Sequence, residues 1–186
     1  MPLFRFHTIE SAPEASRPLL AEGQKRMGFI PNLYAGLAES PAALEAYFAL
    51  SAALAKTQLT PVEQQVVMLN ASVENGCSYC VAAHSMLARN VAKADPDTVC
   101  SLREQRPIAD PRLQALAEFT RQVVQERGWL GEPAVQAFLD AGFSRGNVLD
   151  VVMGVTMKTL SNYANHLMQT PVDDVFADER WEATQP

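Results

Sequence analysis

Four times along this chain a small polar residue stands directly before a proline at the head of an apolar-periodic run: Ser40-Pro41, Thr60-Pro61, Asp95-Pro96 and Asp110-Pro111. A Ser, Thr or Asp side chain satisfies free N–H groups in a helix's first turn. Proline suits the first helical position, where its missing N–H costs nothing. Downstream of these pairs apolar residues recur at three- and four-residue spacing, and no stretch alternates long enough to make a sheet. The chain is therefore expected to be all-α.

The individual helices follow from these starts. "AALEAYFALSAALAK" follows Pro41. Thr60 has Glu63 three residues on, as in a capping box, and opens "VEQQVVMLNASVE". Asn75-Gly76, both tolerant of positive φ, ends that run, and a second helix extends from about Cys77 to Asn90. Asp95-Pro96 starts a short helix, and Asp110-Pro111 starts "RLQALAEFTRQVVQER", which Gly128 terminates. "EPAVQAFLDAG" and "SRGNVLDVVMGVTMKTLSNYANHLMQ" follow. Upstream, "EASRPLLAEGQKRMGF" carries a short helix broken near Gly28, then the extended "IPNLY"; the tail after Pro171 reads as irregular. The expectation is a compact multi-helix fold of about seven or eight helices, one domain over 1–186, long enough for a real core. Met68, Met86, Met153 and Met157 fall at helical spacings and are assigned to that core.

Charge and hydropathy exclude several functions. Net charge is −6, and basic residues occur only as isolated groups such as Lys25-Arg26, so no cationic patch suits a nucleic acid. No run approaches the ~20 apolar residues of a membrane span. "VLDVVMGVTM" is the most apolar stretch, and with Asp150 and Gly154 interrupting it, it reads as a buried core helix. "MPLFRFHTIE" has neither the apolar core nor the cleavage site of a signal peptide. Three cysteines without export signals point to a reducing cytoplasm, where Cys-x-x-Cys is more often catalytic or metal-binding than a staple.

The chemistry-bearing segment is Cys77-x-x-Cys80-x-x-x-His84. On one helix His84 is a side-chain neighbour of Cys80, four residues away, but lies ~10 Å along the axis from Cys77. A histidine in reach lowers a thiol's pKa as an imidazolium or takes its proton as a base. Cys77 is near enough to Cys80 for a disulfide. Asn75-Gly76 puts Cys77 at the helix N-terminus, where the macrodipole favours an anion, so two activations compete. Glu74, three residues before Cys77, is the candidate to orient His84 or accept a proton through water; the alternative is a solvated residue in a final turn. A closed zinc site needs four ligands where this segment supplies three, and neither His7 nor His166 has a spacing partner, so no metal is expected. A pair of small buried thiols with a packing role is the other alternative.

The stretches "LTPVEQQVVMLNASVENGCSYCVAAHS" and "KTLSNYANHLMQTPVDDVF", with the lead-in "GFIPNLYAGLAESPAALEAYFAL", resemble the alkyl hydroperoxidase D and carboxymuconolactone decarboxylase superfamily, in its branch of uncharacterised peroxidase-related proteins. The resemblance implies an AhpD-like all-helical fold, usually a homo-oligomer, that needs no haem, metal or other cofactor. It implies a dithiol that reduces a hydroperoxide substrate, with Cys80 as the peroxidatic thiol, Cys77 as the resolving thiol and His84 as the activating partner. This agrees with the His84–Cys80 spacing and not with the dipole argument. It also implies re-reduction by a dithiol electron donor, a lipoyl-bearing or thioredoxin-like protein.

Two positions depart from that pattern. Tyr79 stands where the best-studied members have a histidine between the cysteines, and Gln65 stands where they place a relay glutamate. Glu74 is the first substitute carboxylate and Glu63 the second. His166, in "NYANHL", is placed either at the site, at a subunit interface or in a buried hydrogen bond; Asn162, Tyr163 and Asn165 are polar partners of unknown facing. Cys100 reads as a packing residue. The expected function is a cytoplasmic antioxidant thiol peroxidase. The alternatives are a lactone enzyme of the decarboxylase type, which needs no dithiol, and a non-catalytic redox switch.

Overall fold

Each of the four capping pairs starts a helix at its proline. In the computed structural model, which describes residues 3–183, Ser40 accepts from the Ala43 N–H, Asp95 from Asp97, and Asp110 from Arg112 and Leu113. Thr60 and Glu63 form the complete capping box. The helices are α1 (Arg17–Met27), α2 (Asn32–Leu37), α3 (Pro41–Leu54), α4 (Pro61–Glu74), α5 (Ser78–Asn90), α6 (Pro96–Arg103), α7 (Pro111–Gln125), α8 (Glu132–Asp140) and α9 (Arg145–Met168), with 3₁₀ turns at Glu14–Ser16 and Asp174–Glu179. Among the described residues there is no strand, and the protein is all-α as its periodicity requires.

Three segments differ from the sequence expectation. "IPNLY" is extended only as far as Pro31, and Asn32 already begins α2. The N–H that opens this helix donates to the carboxylate of Asp173, 141 residues downstream, at 3.2 Å to each oxygen. The tail after Pro171 is not irregular: it forms the second 3₁₀ turn and buries Phe176. With the six-residue α2 counted, the described residues hold nine α-helices, in keeping with the expected about seven or eight. "VLDVVMGVTM" is not buried all round either. Val151, Gly154 and Met157 face the core, whereas Leu149 and Val152 are 69% and 42% exposed.

The core is organised around α4, on which α5, α6, α7 and α9 pack. Val66, Val67, Met68, Leu69 and Ala71 are all essentially inaccessible, and Asn70 and Ser72 are buried with them, so the middle of this helix is enclosed on every side, as a central helix must be. Gly154 lets α9 approach α4 closely: a Cβ there would sit 2.7 Å from Val67 Cγ1 and 2.9 Å from Met68 Cε. The chain then reverses between α4 and α5 through Gly76, at φ +64°, a conformation glycine adopts without steric penalty. These two glycines together bring the start of α5 against the middle of α9.

The C-terminal segment acts as a strap over α5. The Tyr79 hydroxyl donates to Asp173 Oδ2 at 2.6 Å, and Phe176 meets the Tyr79 ring edge-on with centroids 6.1 Å apart. Glu179 then pairs with Arg89 at 2.9 Å and Arg103 at 3.3 Å, and Trp181 Nε1 donates to the Arg103 carbonyl. No helix among the described residues is long and apolar enough to cross a membrane.

Gly154→Ala is expected to push α9 off α4 and cost on the order of 1–3 kcal/mol, the usual range for overpacking a filled core. Gly146→Ala, on the exposed first turn of α9, is expected to be neutral or slightly stabilising. Urea midpoints at unchanged slope measure both; equal midpoints for the two variants would refute the close-approach account.

Candidate active site

The reversal at Gly76 leaves Cys77 extended at the N-cap of α5 and puts Cys80 in the helix's first turn. Both are free thiols, 1% and 2% exposed. Three buried polar side chains of α9, Lys158, Ser161 and Asn165, come to this region from one face of that helix. Asn165 Nδ2 donates to Cys80 Sγ at 3.2 Å and lies 3.8 Å from Cys77 Sγ, so one amide touches both sulfurs. Ser161 Oγ is 4.0 Å from Cys80 Sγ.

Lys158 is completely buried, and its Nζ donates to His84 Nε2 at 3.0 Å. His84 Nδ1 is 2.9 Å from Gln65 Oε1 on α4. This network fixes the tautomer. An ammonium only donates, so Nε2 accepts; an amide oxygen only accepts, so Nδ1 carries the hydrogen. Burial, followed by the Lys158 charge, pushes His84 well below its ordinary pKa. The imidazole is therefore neutral.

The two sulfurs are driven apart. Burial pushes Cys80 up, but the hydrogen bond from the Cys77 thiol and the Lys158 ammonium, with help from Ser161, bring it down to about 5. Cys77 moves the other way, first because it donates to Cys80 and then through burial. At neutral pH the pair holds one proton, on Cys77, and Cys80 is the thiolate.

The structure brings Cys77, Cys80 and His84 into one neighbourhood but revises how they work together. His84 makes no hydrogen bond to either thiol, and its Nε2 is occupied by Lys158. The cation beside Cys80 is Lys158, which the sequence reading missed. One signal for it existed: Lys158 is the only Lys, Arg, Asp or Glu between Asp150 and Asp173, in the middle of a strongly helical run. A lone charge in such a run lies inside only if something inside needs it.

Glu74 does not join the thiols. Its carboxylate pairs with Arg121 at 2.9 Å and accepts from Gln105 and Gln125, each at 2.8 Å. Glu63 is committed to the α4 cap and to Arg112 at 2.7 Å. Gln65 does occupy the relay position, next to His84, but its amide has no acidic proton to give. His166 is exposed and stacks on the half-exposed Tyr163, so neither faces the thiols. Asn162 is buried and accepts from Asn75 Nδ2 at 2.9 Å. Cys100 lies apart on α6, half-buried, with Arg89 Nη2 at 3.4 Å. Among the described residues no three His, Cys, Asp or Glu side chains gather as metal ligands.

Cys80, His84 and Lys158 line a cavity of about 50 Å³ whose other walls are apolar or aromatic, among them Leu33, Tyr34, Tyr47 and Phe176. Larger surface grooves exist, including one of about 540 Å³ along α6, but it is lined by no thiol.

Residues 41–122 match the carboxymuconolactone decarboxylase family, a span holding both thiols of α5, His84 and Gln65. The chain's fold is similar to the alkylhydroperoxidase AhpD core of an uncharacterized peroxidase-related protein from Ralstonia eutropha, over 95% of each chain, with TM-score 0.83 and 26% identity. An uncharacterized peroxidase-related protein from Silicibacter sp. is similar over 88% of this chain and 87% of its own, with TM-score 0.76 and 20% identity. The debrominase Bmp8 is similar over 96% of each chain, with TM-score 0.79 and 15% identity. No curated protein matches the sequence. Lys158, Ser161 and Asn165 lie beyond the span the family match covers.

The ultraviolet absorbance of thiolate is expected to titrate with a midpoint near pH 5, present above it and lost below. Cys80→Ser should remove this transition and Cys100→Ser leave it. A first midpoint near the ordinary ~8.5 would contradict the paired thiolate.

Proposed function

We propose that this protein is a dithiol peroxidase that reduces hydroperoxides through Cys80 and Cys77. What supports the reading most is the division of one proton between two buried sulfurs: the thiolate is made at Cys80, and the neighbouring thiol keeps the hydrogen that the second step needs. Similarity to peroxidase-related structures supports the same reaction class. The Cys80 thiolate attacks the terminal oxygen of the hydroperoxide. An S–O bond forms, the O–O bond breaks, and the departing alkoxide takes a proton to become the alcohol. Cys77 sulfur then attacks Cys80 sulfur. The S–S bond forms, the S–O bond breaks, and hydroxide leaves with the Cys77 proton as water. The resulting disulfide takes two electrons from a dithiol donor, lipoyl-bearing or thioredoxin-like, to return to the start.

The other site residues support these steps. Asn165 steadies the thiolate and spans both sulfurs, while Gln65 and His84 hold the Lys158 ammonium in place. A water requires roughly 10–15 Å³ of such a cavity. About 50 Å³ therefore admits hydrogen peroxide or the peroxo end of an alkyl hydroperoxide, whose apolar group meets the Tyr34, Tyr47 and Phe176 walls. We place the enzyme in the cytoplasm, as a homo-oligomer.

One equivalent of an organic hydroperoxide, added to the reduced protein, is expected to consume two thiols and yield a Cys77–Cys80 disulfide by peptide mapping, with Cys100 untouched. Cys80→Ser should abolish peroxide consumption, and Cys77→Ser should leave a sulfenic acid at Cys80. Survival of all three thiols would remove the peroxidase reading and turn attention to lactone substrates.

A further inference from the structure

The peroxidase reading, on which this inference rests, leaves one proton without a donor. An alkoxide is a strong base and a poor leaving group, so the O–O bond breaks readily only if a group in the cavity protonates the departing oxygen. The groups near the thiols can be taken in turn. Glu74 and Glu63 are held by arginines elsewhere. Gln65 has no acidic proton. His84 is neutral: its Nε2 carries no hydrogen, and its Nδ1–H is committed to Gln65. The Tyr79 hydroxyl is committed to Asp173, and burial makes Tyr34 and Tyr47 weaker acids than a free phenol. The Cys77 proton leaves later, in the water formed with the disulfide. Ser161 Oγ already bonds the Met157 carbonyl at 3.1 Å.

The remaining candidate is an ammonium that lines the same small cavity as Cys80. We infer that Lys158 is the catalytic acid, passing a proton from Nζ to the alkoxide as the O–O bond breaks.

Charge balance leads independently to the same residue. In the resting site the Lys158 ammonium, completely buried and without a carboxylate partner among the described residues, has the Cys80 thiolate as its counter-charge. Oxidation abolishes the thiolate. If Lys158 kept its proton, a bare buried cation would remain, and an uncompensated buried charge is strongly destabilising. Handing the proton to the alkoxide removes both charges in one step, so the site passes from ion pair to neutral sulfenic acid and neutral amine, and stays neutral when the disulfide then forms. The reductant resets it. Two thiol protons of the donor return, one to Cys77 and one to Lys158, while its two electrons regenerate the Cys77 thiol and the Cys80 thiolate.

Activating a thiolate and protonating a leaving group are separable experimentally, because only the second depends on the leaving group. Cumene hydroperoxide expels an alkoxide that needs a proton; peracetic acid expels acetate, which does not. Stopped-flow oxidation of Cys80 should be compared in the wild type, Lys158→Met and Lys158→Gln, each at a pH where ultraviolet absorbance shows Cys80 fully ionised. The variants are expected to lose on the order of 10²–10⁴-fold with cumene hydroperoxide and only a few-fold with peracetic acid. Equal losses with both oxidants, or none, would overturn the assignment while leaving the peroxidase reading intact. A wild type inert to both oxidants would overturn the two together. Should neither variant fold, the wild type alone decides: across alkyl hydroperoxides and peracids its rate should depend weakly on leaving-group basicity. A dependence as steep as that of a small-molecule thiolate would refute the acid.

Discussion

A charged amine sits in the dry interior of this protein with a sulfur anion as its counter-charge. Neither charge is tolerable alone, since each has left water and gains only what its neighbours supply. The fold can be read as the means of keeping the two together. Gly154 lets α9 come down onto α4 one helical turn before Lys158, and Gly76 turns the chain so that the first turn of α5 faces the same place. Asn165, two turns beyond Lys158, completes the enclosure of the sulfurs. A helix shift that broke this register would separate the charges, so packing of the central helices and reactivity of the thiol are one property.

The strap closes the remaining side. Asp173 is tied at once to the start of α2 and to Tyr79, which lies between the two cysteines, and Phe176 forms a wall of the cavity. Excluding water lowers the local dielectric, which strengthens the attraction between ammonium and thiolate and raises the cost of every unpaired group. Asn165 shows that cost, since its Oδ1 is buried without a hydrogen-bond partner while its amide nitrogen is spent on the sulfurs. A site that leaves an acceptor unsatisfied to keep a donor aimed at sulfur is organised around an anion there.

The sequence disclosed the fold more fully than the site, for a physical reason. Helix starts are local: Ser40-Pro41, Thr60-Pro61, Asp95-Pro96 and Asp110-Pro111 each act over four residues, and each worked as its chemistry demands. What the pattern missed depends on distant partners. The first N–H of α2 finds its acceptor at Asp173, and the turn around Phe176 exists because α5 lies beneath it. The site divides the same way. The Cys77, Cys80 and His84 spacing lies within one helix and was legible. Lys158 reaches His84 across 74 residues, so no local rule reports it. Glu74 was drawn in by proximity along the chain, yet Arg121 on α7 offers it a better partner in space.

The two departures from the pattern that the resemblance implies become intelligible once Lys158 is in place. A glutamate at position 65 would set a carboxylate against His84, favour the imidazolium, and so compete with the thiolate for the positive charge of this site. Gln65 accepts the same hydrogen from Nδ1 and contributes no charge. His84 is thereby kept neutral, with Nε2 free to accept from the ammonium rather than repel it. A second histidine at position 79 would add another titratable group between the sulfurs. Tyr79 instead spends its hydroxyl outward on Asp173, fastening the strap that keeps water out. Each substitution removes a competitor for the thiolate, and the charge that a relay would have distributed is concentrated on one lysine and one cysteine.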